Sequence, residues 1–224
     1  MKQGVFFQKA FRPFFCLAPL YSVIALVFWM LIYGGVLKLE LNVAPMVWHS
    51  HEMLFGFVSA IIVGFLCTAS ENWTKQKVAG GPVLMVLFLL WLLGRGALWP
   101  LWGIEKIGAI SDVLYLCMAA ILLERVLFNK AQRRNWIFVV LIAALAVLNL
   151  LFYLGNYGFE VGIYPLELLR TTVFVIVFYI VFIGQRIIPF FTQNAVSSAS
   201  FFYVPFVKQL AIGLVLLTVF LKSF

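Results

Sequence analysis

The chain contains two histidines, and they stand together in Trp48-His49-Ser50-His51-Glu52-Met53. Neutral imidazole binds haem iron, copper or zinc, and a thioether suits copper(I). His49 and His51 are therefore candidate metal ligands, with Met53 a further candidate for copper. Helical spacing sorts these residues onto faces. Glu52 and Met53 follow His49 by three and four positions and share its face, which continues through Gly56, Ala60 and Gly64. Small residues at that spacing let helices approach closely, so His49 is expected to point at a neighbouring helix. His51 lies about 200° around the same helix. A regular helix cannot offer both imidazoles to one metal: either the helix is irregular there, or there are two centres, or one histidine is no ligand. The alternative is a pair of interfacial histidines that donate to backbone or headgroups.

Three arginines could recognise a carboxylate, since a planar guanidinium matches that geometry. Arg12 lies in Phe11-Arg12-Pro13-Phe14-Phe15, and Arg95 stands between Gly94 and Gly96. Arg186 opens Arg186-Ile187-Ile188-Pro189-Phe190-Phe191, where Pro189 is expected to stop a helix. Each is equally readable as a membrane anchor. Arg95 is expected either to snorkel outward or to pair with a carboxylate such as Asp112. Asn149, deep in an apolar run, is expected to bond to another helix. Trp99 and Trp102 read as an aromatic belt. Cys16, Cys67 and Cys117 read as small buried hydrophobes. The sequence holds no G-x-x-x-x-G-K-[ST], G-x-S-x-G or H-E-x-x-H pattern, so neither a P-loop ATPase nor a familiar hydrolase is indicated.

The elements that must carry these residues follow from composition. Of 224 residues, 65% are hydrophobic and 11% charged, and the mean hydropathy is +1.09. Soluble domains are roughly a quarter charged. The composition excludes a soluble enzyme and a disordered chain, and leaves an all-α polytopic bundle in a lipid bilayer. Seven spans are expected: Phe14–Leu37, Pro45–Ala69, Pro82–Leu101, Ala109–Phe128, Trp136–Leu154, Leu166–Ile188 and Pro205–Leu221. They form a single domain over 1–224, with no linker or low-complexity tract. The net charge of +8 is read as loop asymmetry, not as a nucleic-acid surface. Eleven of the sixteen Lys and Arg fall on one side of these spans, the other five being Lys38, Arg95, Lys106, Arg170 and Lys222. That bias places the amino terminus in the cytoplasm.

Two segments resemble a known family. Phe11-Arg12-Pro13-Phe14-Phe15 is followed by Trp48-His49-Ser50-His51-Glu52-Met53-Leu54-Phe55-Gly56-Phe57. Gly94-Arg95 and Arg186-Ile187-Ile188-Pro189-Phe190-Phe191-Thr192 come in the same order. Together they resemble the amino-terminal half of the NnrS family. The resemblance implies a multi-pass bacterial inner-membrane protein carrying haem and copper, associated with nitric oxide stress and denitrifying growth. It implies His49 and His51 as ligands, Met53 as a copper ligand, and Arg12, Arg95 and Arg186 as partners of haem propionates. It also implies a longer fold of about twelve spans, with further histidines in the later ones. A second half-bundle or a homo-oligomer is then an expected partner. The competing expectations are a membrane transporter or conduit without redox chemistry, and a non-catalytic half-bundle.

Overall fold

The computed structural model describes residues 5–39, 41–99 and 103–196, with Phe206 and Gly213. The described residues are helical, with no strand among them. The helices are α1 (Phe11–Tyr33), α2 (Pro45–His51), α3 (Ser59–Thr74), α4 (Pro82–Gly94), α5 (Glu105–Leu127), α6 (Trp136–Asn156) and α7 (Pro165–Ala195). A π-helical segment, Glu52–Val58, joins α2 to α3, so that Pro45–Thr74 runs as one long element. Five elements are long and apolar enough to cross a membrane: α1, Pro45–Thr74, α5, the element ending in α6, and α7. The expected seventh span, Pro205–Leu221, lies largely outside the described residues.

The chain divides into two compact units after Leu169. In the first, α1 packs on α3 and on the π segment, α3 packs on α5, and α5 lies between α4 and α6. Large apolar side chains fill this unit. Phe14, Trp48, Trp91, Tyr115, Phe138 and Phe152 are fully buried.

The third expected span is corrected. The sequence predicts one continuous span from Pro82 to Leu101, yet α4 ends at Gly94 after 13 residues. At about 1.5 Å per residue that is roughly 20 Å, short of a hydrocarbon core of ~30 Å. The chain then runs through turns whose amides stay satisfied, Arg95 to Leu92 at 3.1 Å, Gly96 to Leu93 at 3.0 Å and Ala97 to Gly94 at 3.1 Å. Residues 94–98 are buried. Irregular backbone is tolerated in a membrane where protein covers it. The reason for the break is steric and electrostatic. Arg95 turns inward to carboxylates on other elements, and α5 closes on the turn. A Cβ on Gly94 would lie 2.6 Å from Asp112 Oδ1, and one on Gly108 would lie 2.5 Å from the Ala97 nitrogen.

In the second unit, α7 runs through Pro189 to Ala195. Pro189 therefore does not end the helix as expected. A proline removes one intrahelical hydrogen bond, and membrane helices absorb that loss more readily than soluble ones.

A buried polar cluster as the candidate functional site

Glu52 opens the π segment and Asp112 lies on α5, and both are 0% exposed. Arg95, 6% exposed, reaches both. Its Nη1 donates to Glu52 Oε2 at 2.6 Å, its Nη2 donates to Asp112 Oδ1, and its Nε donates to the Trp91 carbonyl at 3.2 Å. Arg95 thus pairs as expected with Asp112, and also with a second carboxylate that the sequence did not suggest.

Four further side chains complete the shell. Tyr21 of α1 donates its hydroxyl to Glu52 Oε2. Asn149 of α6 donates Nδ2 to Asp112 Oδ2 at 2.9 Å, and Tyr153 donates to the same oxygen at 3.1 Å. His51 fills the remaining gap: Nδ1 lies 3.1 Å from Glu52 Oε1 and Nε2 lies 3.0 Å from Asn149 Oδ1. Its ring stacks on Phe152 with centroids 4.6 Å apart. His51 and Asn149 are each 0% exposed. The cluster draws on α1, α2, the π segment, the end of α4, α5 and α6. Glu52 lies seven residues from Pro45, Asp112 seven from Glu105, and Asn149 seven from Asn156. At helical rise that is about 10 Å from one end of the unit.

The π segment decides which residues enter this cluster. It carries about one extra residue per turn, which offsets the residues before it from those after it. Glu52, Gly56, Ala60 and Gly64 are buried as one stripe, as expected, while His49 is only half-buried. His49 faces a neighbouring helix, stacking on Trp29 of α1 with centroids 4.2 Å apart and planes 19° from parallel. His49 Nδ1 is buried without a hydrogen-bond partner. Met53 is half-buried. The two histidines therefore occupy different surroundings. Among the described residues, no group of three or more His, Cys, Asp and Glu side chains is disposed to hold one metal ion.

The arginines separate too. Arg12 Nη1 donates to the Val5 carbonyl at 2.5 Å. It sits at the opposite end of α1 from Trp29, seventeen residues or about 25 Å away along the axis. Arg95 donates from Nε, Nη1 and Nη2 within the cluster. Arg186 lies on α7 in the second unit.

Two further features frame the site. Trp48 and Phe28 each meet Trp99 edge-on, at 5.1 and 4.9 Å, so Trp99 packs within an aromatic group at that end of the unit. Trp102 lies outside the described residues. A groove of about 570 Å³ runs between α5 and α6, and its apolar wall includes Ile110, Leu150 and Tyr153. Sequence reasoning found Arg95, Asp112, Asn149 and His51 but missed Tyr21 and Tyr153, for isolated tyrosines in apolar runs carry no spacing signal.

Residues 5–224 match a family model described as NnrS protein. No curated protein and no solved structure matches the chain.

Proposed function

The chain belongs to the NnrS family, and from that membership we propose that it is an inner-membrane protein that lowers nitric oxide toxicity with the help of haem and copper. It is a membrane protein of a family linked to nitric oxide stress; the cofactors, the membrane and a link to denitrifying growth are the proposal. The observation that carries the cofactor part is the unspent nitrogen of His49, buried with no hydrogen-bond partner. Nitrogen and thioether donors suit haem iron and copper(I), so His49, with Met53 as a second donor, is where the group would be held. Such a group would supply the binding and redox chemistry toward nitric oxide.

The protein's own part is positioning. Trp29 fixes the plane of the His49 ring by stacking on it. Trp48, fully buried, ties the same turn to Trp99. The charged cluster below locks α2 and the π segment against α1, α5 and α6, so the turn bearing His49 has a rigid base.

A broken helix and buried charges also suit a transporter. Within the described residues, however, Glu52, Arg95 and Asp112 are buried and hydrogen-bonded inside one cluster, so none of the three is presented to a substrate. Purified protein should show a haem absorption spectrum and bound copper. His49→Ala should remove one of them at unchanged folded yield. A cell lacking the gene should grow more poorly under nitric oxide and recover with the wild-type gene but not with His49→Ala. Purified protein free of both cofactors, or full rescue by His49→Ala, would overturn the proposal.

A further inference from the structure

His51 is the cluster member whose role the implied cofactors would assign differently. Donor counting decides it. Asn149 gives its amide nitrogen to Asp112, so its amide oxygen is the atom that faces His51 Nε2 at 3.0 Å. Turning the amide over would set its oxygen 2.9 Å from an Asp112 oxygen, two acceptors in contact. On the other side His51 Nδ1 faces a carboxylate oxygen at 3.1 Å. Glu52, paired with the Arg95 guanidinium, is a carboxylate, so both ring nitrogens meet acceptors and each needs a hydrogen to satisfy the contact. Neither has a lone pair left for iron or copper.

Charge gives the same answer independently. Two carboxylates and one guanidinium leave an excess of one negative charge, with Glu52 and Asp112 wholly buried. Uncompensated charge within a membrane bundle is costly. An imidazole that carries both hydrogens brings the sum to zero, and Asp112 Oδ2 stands only 3.7 Å from Nε2.

We infer that His51 is the internal counter-charge of this cluster, a double donor that clasps the π segment to α6, and that it is not a haem or copper ligand. The inference rests on the cluster alone and holds whether or not His49 binds a cofactor.

The test uses protein labelled with ¹⁵N-histidine in lipid nanodiscs. Because the chain has two histidines, His49→Ala leaves His51 as the only signal and assigns it. Both His51 nitrogens should resonate as N–H in His49→Ala and in dithionite-reduced wild type. A ring nitrogen without hydrogen, or one shifted by a bound metal, would overturn the inference. In parallel, His51→Gln should lower the folded, monodisperse yield about tenfold or more, since it leaves a carboxylate uncompensated. His51→Gln with Glu52→Gln should recover most of that yield by restoring neutrality. A double variant no better than the single one would count against the counter-charge. Whatever haem and copper wild type carries should persist per folded molecule in the double variant. Selective loss there would make His51 a ligand after all. If wild type carries neither cofactor, the proposal for His49 fails while the nitrogen spectrum still decides His51.

Discussion

Gly56 leaves the space that Arg95 occupies. A Cβ on Gly56 would come 2.6 Å from Arg95 Nη1, 2.9 Å from the Tyr21 ring and 3.0 Å from Glu52 Oε2. The three atoms belong to the cluster itself, and the guanidinium is held on both sides, so it cannot yield cheaply. Gly56→Ala should therefore cost about 1–3 kcal/mol, the usual range for overpacking. Gly155→Ala is the control, because its nearest neighbour is Val161 at 3.7 Å. Thermal unfolding in detergent should show a lower midpoint for Gly56→Ala alone. Equal midpoints would mean that Arg95 does not sit where described.

Arg95 itself should be replaceable only together with a partner. Arg95→Met strands two buried carboxylates, and removing one member of such a set costs about 3–5 kcal/mol. The double variant Arg95→Met, Asp112→Asn removes one charge of each sign and leaves Glu52 facing His51. It should recover most of the stability lost by Arg95→Met. A double variant no more stable than the single one would show that stranded charge is not what makes Arg95→Met costly.

Part of this arrangement was legible in the residues. Apolar runs gave the helical class, and Gly-Arg-Gly within one of them marked Arg95 as unusual. The pairing of Arg95 with Asp112 was one of the two expectations for that arginine, the other being an outward snorkel. What could not be read was the π segment. Regular spacing correctly put Glu52 on the stripe of Gly56, Ala60 and Gly64, but it put His49 there as well, and it gave no sign that His51 enters the cluster. An extra residue in a turn has no composition of its own, and the side chains that bond to this segment, Arg95, Tyr21 and Trp91, come from other elements. The break in α4 was missed for the same reason: Ala97, Leu98 and Trp99 are as apolar as a continuing helix would be.

Orientation should follow the loop charges. Arg95 now drops out of the count, because it is buried with its partners, and the bias strengthens from eleven against five to eleven against four. Lys130 is then expected in the cytoplasm and Asn42 on the other side. Both positions are exposed. In a background without Cys16, Cys67 and Cys117, a thiol reagent that cannot cross the membrane should label Asn42→Cys and spare Lys130→Cys in intact spheroplasts. The opposite pattern would invert the topology.

The end of the unit away from the cluster has its own tie, and it predicts a local effect. Glu71, 8% exposed, pairs with Lys9 through Oε2 and accepts the Val78 amide on Oε1 at 3.1 Å. The Gly81 amide donates to the Phe7 carbonyl at 2.8 Å. One carboxylate thus joins the segment before α1 to the connection between α3 and α4. Lys9 is 45% exposed, so its ion pair is weakened by solvent and Lys9→Ala should cost about 0–1 kcal/mol. Glu71→Ala also leaves a buried amide without an acceptor, and should cost about 1–3 kcal/mol, concentrated in that connection. Lys75 and Lys77 are exposed there. Limited trypsin digestion of inverted vesicles should cut Glu71→Ala between α3 and α4 much faster than wild type or Lys9→Ala. If Lys9→Ala is cut as fast as Glu71→Ala, the ion pair rather than the Val78 hydrogen bond holds the connection in place.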